Sequence, residues 1–364
     1  MKQQNDRRNM ALSNDNPKTG TEHPVKRATI KDVAKLAMVS TATVSRVLSN
    51  GEKVKAVNRE KVHTAIKALN YTPNMAAQQI HGVFSITIGV ITTRSSDTAF
   101  GNPYFSSIIG AIGTVVEKRN CYLQIHSYGS MNDETEKTLH LYRSGRVQGF
   151  ILLSSRVHDP LIMAMVNNHI PFVLVGRTMN LAQSESQVFS VNTDNISDSQ
   201  QAVEFLIKKG HRIIGMLCGP DQYVVSQDRL TGYQNALSLN RLEFRESLKI
   251  DAGYSYEDAK NATETLIRNN PGMTAIFASD DLKGVAAIKK LQEMNIEVPE
   301  QVGVIGFDNF EIGRFIQPSL TTIDVPIAKL GKIATGMLID RIQSKQVGQN
   351  CVILETQLLP REST

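Results

Sequence analysis

Apolar residues recur at helical spacing up to about residue 70, and in short strand-like runs beyond residue 85. In Thr29–Asn50, Ile30, Val33, Ala34 and Ala37 fall at i, i+3, i+4 and i+7, one face of a helix. Thr29 and Asp32 have the spacing of a capping box at its start. Ser40 restarts the pattern as a second N-cap, and Val44, Val47 and Leu48 give the second helix its inner face. The outward residues Thr41, Ala42, Ser45 and Arg46 are small or polar, with one long cation. Such a face can enter a groove about 12 Å wide and meet base edges. The pattern predicts a helix-turn-helix with Ser40–Ser49 as recognition helix. A third helix is expected over Asn58–Asn70, with Val62, Ala65, Ile66 and Leu69 inward. An ordinary pair of packed helices shows the same spacing.

Charge separates the two readings. Residues 24–82 hold ten Lys and Arg against three Asp and Glu, while the whole chain is only +5. The basic surplus is local to the helical head, as a phosphate-binding module requires. After Pro73, the stretch Asn74–Ile80 favours helix but is too short to hold one alone in water. It is expected to be helical only when something packs on it.

Beyond Ser85, ten apolar runs alternate with eight helical patterns. Continuous apolar strands alternating with helices predict parallel sheets covered on both faces, and this number suits two sheets. The expected fold is thus a small all-α head and an α/β core of two doubly wound subdomains. Ligands bind such sheets beyond the carboxyl ends of the strands. Ser154, Arg177, Asp280 and Asp308 follow predicted strands, and Arg229 opens a helix. These groups suit a polyol, and Tyr104, Phe105 or Phe310 could stack on a sugar face. Asp280 and Asp308 read equally well as helix caps.

The totals exclude other classes. No run is long and apolar enough to cross a membrane, and residues 1–27 are polar, without a secretory core. They read as a disordered leader of a cytoplasmic protein. Cys121, Cys218 and Cys351 are far apart and read as reduced core residues. Phosphate loops, nucleophile elbows and paired metal-ligating histidines are absent, so no enzyme, cofactor or metal is expected.

The run ATIKDVAKLAMVSTATVSRVLSNGEKV, then REKVHTAIKALNYTPNMAAQQI, resembles the LacI/GalR family. The likeness continues through IGVI, GFILL, RLTGYQNAL, FASDD and VIGFDN to the terminal PREST. It implies a homodimeric repressor that binds palindromic operator DNA and has a sugar-binding core. It implies base reading by Thr41, Ala42 and Arg46. It implies phosphate contacts from Thr29, Ser40, Thr43, Ser45, Lys53, Lys55, Asn58 and Tyr71. It makes 74–84 a hinge helix, with Asn74, Ala77, Gln78 and Ile80 at the minor groove and Ile80 as the wedge. Effector binding would melt that hinge. The implied domains are a head at 28–73 and a core at 85–360. Within the core, one subdomain takes 85–189 and 319–350, and the other takes 190–318 and 351–360. The turn residue Met38 stands where a small residue is usual, and strain is expected if its φ is positive.

Within the family, SSDTAFGNPYFSSIIGAI and GFILLSSR look most like the maltose-operon repressor branch, which implies maltose or a maltodextrin as effector. Two rivals remain open at this stage. One is a global carbon-catabolite regulator with a phosphocarrier-protein co-regulator. The other is a sugar-binding transport protein, against which the basic head and the absence of a signal peptide argue.

Overall fold

The computed structural model describes residues 28–48, 54–71, 86–128, 130–179, 188–345 and 348–364. The leader, the hinge segment 74–84 and Lys53 lie outside the described residues. The chain divides into two compact units between Phe84 and Ser85.

The first unit holds α1 (Ile30–Ala37), α2 (Thr41–Leu48) and α3 (Ala56–Ala68). Thr29 donates to the Asp32 carboxylate from both its backbone N–H (2.8 Å) and its hydroxyl (2.7 Å), which fixes the start of α1. Met38 ends that helix in the left-handed region at φ 51°, so the strain expected of a non-glycine turn residue is present. Ser40 Oγ then accepts from the Thr43 backbone N–H at 3.2 Å and starts α2. Val33, Ala34, Ala37, Val44, Val47, Val62 and Ala65 form the small core that the spacing predicts. Tyr71, the head's single large aromatic, fills the same core at 8% exposure.

The core unit contains two parallel sheets. The first runs β11 (Cys351–Leu354), β5 (Phe189–Thr193), β4 (Phe172–Val175), β3 (Gly149–Leu152), β1 (Thr87–Thr92), β2 (Tyr122–Ser127). Its side chains alternate between two apolar layers. Ile151 and Val173 face α5 (Pro103–Lys118) and α13 (Ile327–Ile342), whereas Phe150, Leu152, Phe172 and Leu174 face α7 (Pro160–Asn167). A short α4 (Ser96–Gly101) precedes α5, and α6 (Met131–Arg143) precedes β3.

The second sheet runs β7 (Lys249–Asp251), β6 (Ile214–Cys218), β8 (Ala275–Ala278), β9 (Gly303–Ile305). Its helices are α8 (Asn195–Lys208), α9 (Val224–Leu239), α10 (Tyr256–Asn269), α11 (Asp281–Glu293) and the short α12 (Ile312–Phe315). β10 (Thr322–Asp324) and β12 (Gln357–Leu359) pair antiparallel. The expected fold class is the observed one.

Several expectations need correction. Residues 190–193 and 351–354, assigned from sequence to the second subdomain, pair in parallel within the first sheet, Ser190 opposite Cys351. The polar FSVNT run lacks a strand's apolar signature, so the pattern misses β5. Cys351 is exposed on this edge strand and is not a core residue. Phe310 is buried at 4% exposure in the apolar core rather than in a position to stack on a ligand.

Gly232 is where α9 presses on α8. A methyl there would lie 2.2 Å from the Ile196 carbonyl oxygen and 2.9 Å from the Gln200 backbone nitrogen. Backbone atoms in a helix cannot step aside. Gly232→Ala is therefore expected to destabilise the core by roughly 1–3 kcal/mol, read as a lower Tm.

The crossover from β11 to β12 is tied to α8 by Thr356, whose hydroxyl donates to Asp198 Oδ1 at 2.7 Å. Asp198 Oδ2 is buried without a partner. Burial, with the Asp194 charge adding to it, pushes the Asp198 carboxyl up to about 6 from its ordinary 3.8, against the pull of the Thr356 hydrogen bond. The folded state then carries a poorly solvated charge once the pH passes that value, and stability is lost on the way up. Asp198→Asn removes the ionisation and keeps an acceptor. Its Tm is expected to exceed wild type above about pH 6, with the gain shrinking toward about pH 4.

Candidate functional site

In the head, α2 presents Thr41, Ala42 and Arg46 as exposed residues while Val44 and Val47 are buried. Ser45 and Thr43 are half-buried, the latter within 2.9 Å of the Ser40 hydroxyl. Thr29, Ser40 and Lys55 are exposed, and Asn58 is half-buried in the first turn of α3. The surface therefore offers short polar groups around one guanidinium, which can read base edges and bind phosphates. Tyr71 packs its ring into the core of the head, and burial raises its phenol above the ordinary value. Lys53, Asn74, Ala77, Gln78 and Ile80 lie outside the described residues.

In the core, the carboxyl ends of both sheets open on one cleft of about 750 Å³, including the solvent at its mouth. Of the residues singled out from sequence, all but Phe310 line it: Tyr104, Phe105, Ser154, Arg177, Arg229, Asp280 and Asp308. The sequence reading missed Arg94, Asn192, Asn195 and Asp228, which line it too.

Arg229, on α9, organises the cleft. It donates to Asp308 Oδ1 at 3.1 Å, to Asn195 Oδ1 at 3.1 Å and to the Ser279 carbonyl, with its guanidinium 3.8 Å above the Phe307 ring. Asp308 is held at φ 101°, a strained backbone for a non-glycine residue. Burial raises its carboxyl, and Arg229 pulls it back toward the charged form. Asp280 accepts from the Lys283 backbone N–H at 2.9 Å and pairs with the Lys283 ammonium. Burial would raise the Asp280 carboxyl, but Lys283 overcomes that and holds it below the ordinary value. Asp280 is thus both helix cap and cleft residue.

Arg177 reaches from β4 across to Asp228 on α9 and forms a two-pronged ion pair, with Nε at 2.8 Å. Asp228 is 2% exposed. The Val157 and Val224 backbone N–H groups donate across the same edge to Gln222 and Ser155. The cleft is therefore closed along one side by backbone pairing and one ion pair. Asp228→Ala is expected to remove that ion pair and to loosen that edge, read as faster amide exchange at Val157 and Val224.

The curated relatives match nearly the full chain. CelR of Thermobifida fusca, an HTH-type transcriptional regulator, is 32% identical over 338 residues, 93% of this chain and 98% of that protein. CytR of Escherichia coli K12, an HTH-type transcriptional repressor, is 30% identical over 93% of this chain and 96% of its own length. Residues 29–74 match the family described as bacterial regulatory proteins, lacI family, and 203–364 match a periplasmic binding protein-like domain. The chain belongs to the LacI/GalR family of transcriptional regulators.

Two solved members of the LacI/GalR family share its fold. A CelR–cellobiose complex has a TM-score of 0.71 at 31% identity, covering 93% of this chain and all of that one. A lac repressor dimer bound to operator and the anti-inducer ONPF has a TM-score of 0.81 at 25% identity, covering 93% and 99%. The family binds operator DNA and sugar effectors. Among the described residues, no helix is long and apolar enough to cross a membrane.

Proposed function

We propose that this chain is a homodimeric, sequence-specific repressor of carbohydrate-utilisation genes, governed by a saccharide bound in the core cleft. One observation carries the reading. A helix-turn-helix with an exposed Thr41–Ala42–Arg46 face and a polar cleft built around Arg229 and Asp308 occur in a single chain. The first supplies base and phosphate contacts, and the second supplies the charged and amide groups that grip hydroxyls.

In this reading Thr41, Ala42 and Arg46 read bases. Thr29, Ser40, Thr43, Ser45, Lys53, Lys55, Asn58 and Tyr71 hold phosphates. The head spans 28–73, the segment 74–84 is the hinge, and the core begins at 85. The protein works where its DNA is, in the cytoplasm. Effector binding changes operator affinity only through a difference in its affinity for the two states of the repressor.

The finer identity of the saccharide is a ligand-binding question. The stretch that resembles the maltose-operon branch makes maltose the first sugar to try. A relative solved with cellobiose makes a β-linked disaccharide the second. Selection of duplexes from a random pool by the full-length protein tests the reading. A two-fold palindrome is expected to emerge, and a pool that stays unenriched would remove the repressor proposal.

A further inference from the structure

A smaller recess opens off the cleft on the side of the second sheet. Its lining includes Arg94, Ser226, Arg229, Tyr254, Asp280 and Lys283. Three of these are cations and one is a carboxylate. Most of that charge is already matched. Arg229 pairs with Asp308, Lys283 pairs with Asp280, and at the cleft wall Arg177 pairs with Asp228. Arg94 forms no ion pair among the described residues.

The surroundings of Arg94 hold it in place without neutralising it. Its guanidinium lies 5.2 Å from the Phe105 ring centroid, 5.0 Å from Tyr223 and 5.2 Å from Tyr254. Its carbonyl accepts from the Thr92 and Ser127 hydroxyls, both at 3.0 Å. Its Nε is buried with no hydrogen-bond partner. Rings that cover the faces of a guanidinium leave its edge for an acceptor, and a planar donor edge suits an oxyanion. A cation with no counter-charge at the edge of a cleft attracts an incoming oxyanion. Lys283, with three ammonium donors and one carboxylate partner, has donors to add. Asp280 and Lys283 offset one another, as Asp308 and Arg229 do, so the net positive charge of the recess comes from Arg94.

We propose that the effector is a phosphorylated saccharide, its sugar ring in the main cleft and its phosphate monoester in the recess between Arg94 and Lys283. This rests on the cleft being the effector site. The phosphate adds charge-assisted hydrogen bonds to the terminal nitrogens of the Arg94 guanidinium and to the Lys283 ammonium, and the unmatched cation gains its counter-ion.

Calorimetric titration of the full-length protein tests it. The probes are glucose 6-phosphate, maltose 6′-phosphate and cellobiose 6′-phosphate, each against its unphosphorylated parent, and inorganic phosphate alone. At least one sugar phosphate is expected to bind about tenfold or more tightly than its parent and than inorganic phosphate. Arg94→Gln, checked for folding by its thermal melt, is expected to erase that preference, and Arg94→Lys to restore part of it. Three results would overturn the proposal: parents binding as tightly as their phosphates, inorganic phosphate binding as tightly as any sugar phosphate, or no phosphate in the panel binding. Operator selection by the same preparation separates this failure from failure of the repressor reading. Intact selection with no phosphate preference removes only the phosphate recess.

Discussion

Arg229→Ala is expected to abolish the response to effector while leaving operator binding in place. Arg229 spends its donors on Asp308, Asn195 and the Ser279 carbonyl, and its loss strands all three acceptors. Asp308 suffers most. It is 5% exposed, strained at φ 101°, and loses the cation that favours its charged form. Breaking a buried pair by removing one partner costs roughly 3–5 kcal/mol. The core is expected to melt several degrees lower and the effector affinity to fall by about a hundredfold or more. Arg229→Lys keeps the charge and loses the fork, so it should recover stability better than binding. Thermal melts and effector titrations on the two variants read both effects. An unchanged effector response in Arg229→Ala would remove this residue from the site.

Arg46→Ala is expected to collapse specificity without removing DNA binding. Arg46 stands exposed in the last turn of α2, on the face opposite Val44 and Val47. A guanidinium bidentate to a guanine is worth about 1–3 kcal/mol of discrimination, or roughly tenfold to a hundredfold. Non-specific binding rests on the whole basic surplus of the head, of which Arg46 is one cation in ten, and should change little. The ratio of operator to scrambled-duplex affinity, at one fixed salt concentration, isolates the effect. Equal losses on both duplexes would make Arg46 a phosphate contact and not a base reader.

The head was legible from sequence because its determinants are local. Helical spacing fixed its core, and the Thr29–Asp32 and Ser40–Thr43 caps act over three residues. That Tyr71 also fills this core is not legible in the same way, because no motif position reveals it. In the cleft, residues just past strand ends were found by the rule for parallel sheets. Their partners were not. Arg177 meets Asp228 from 51 residues away, and Arg229 meets Asp308 from 79. Such pairings are set by how the two sheets face one another, not by spacing along the chain. Arg94 escaped notice for the same reason, since its ring neighbours Tyr223 and Tyr254 belong to the other sheet's loops. The second sheet held its expected strands, whereas β5 was missed because Ser190, Asn192 and Thr193 interrupt its apolar run.

Operator recognition and a saccharide site are joined in one chain. Fluorescence anisotropy on the selected operator, at fixed salt, with and without the saccharide that binds the core, tests it most directly. Tight, operator-selective binding is expected, with an affinity that shifts about tenfold or more when the saccharide is added and does not shift in Arg229→Ala. Operator affinity unmoved by a saccharide that saturates the core would contradict it.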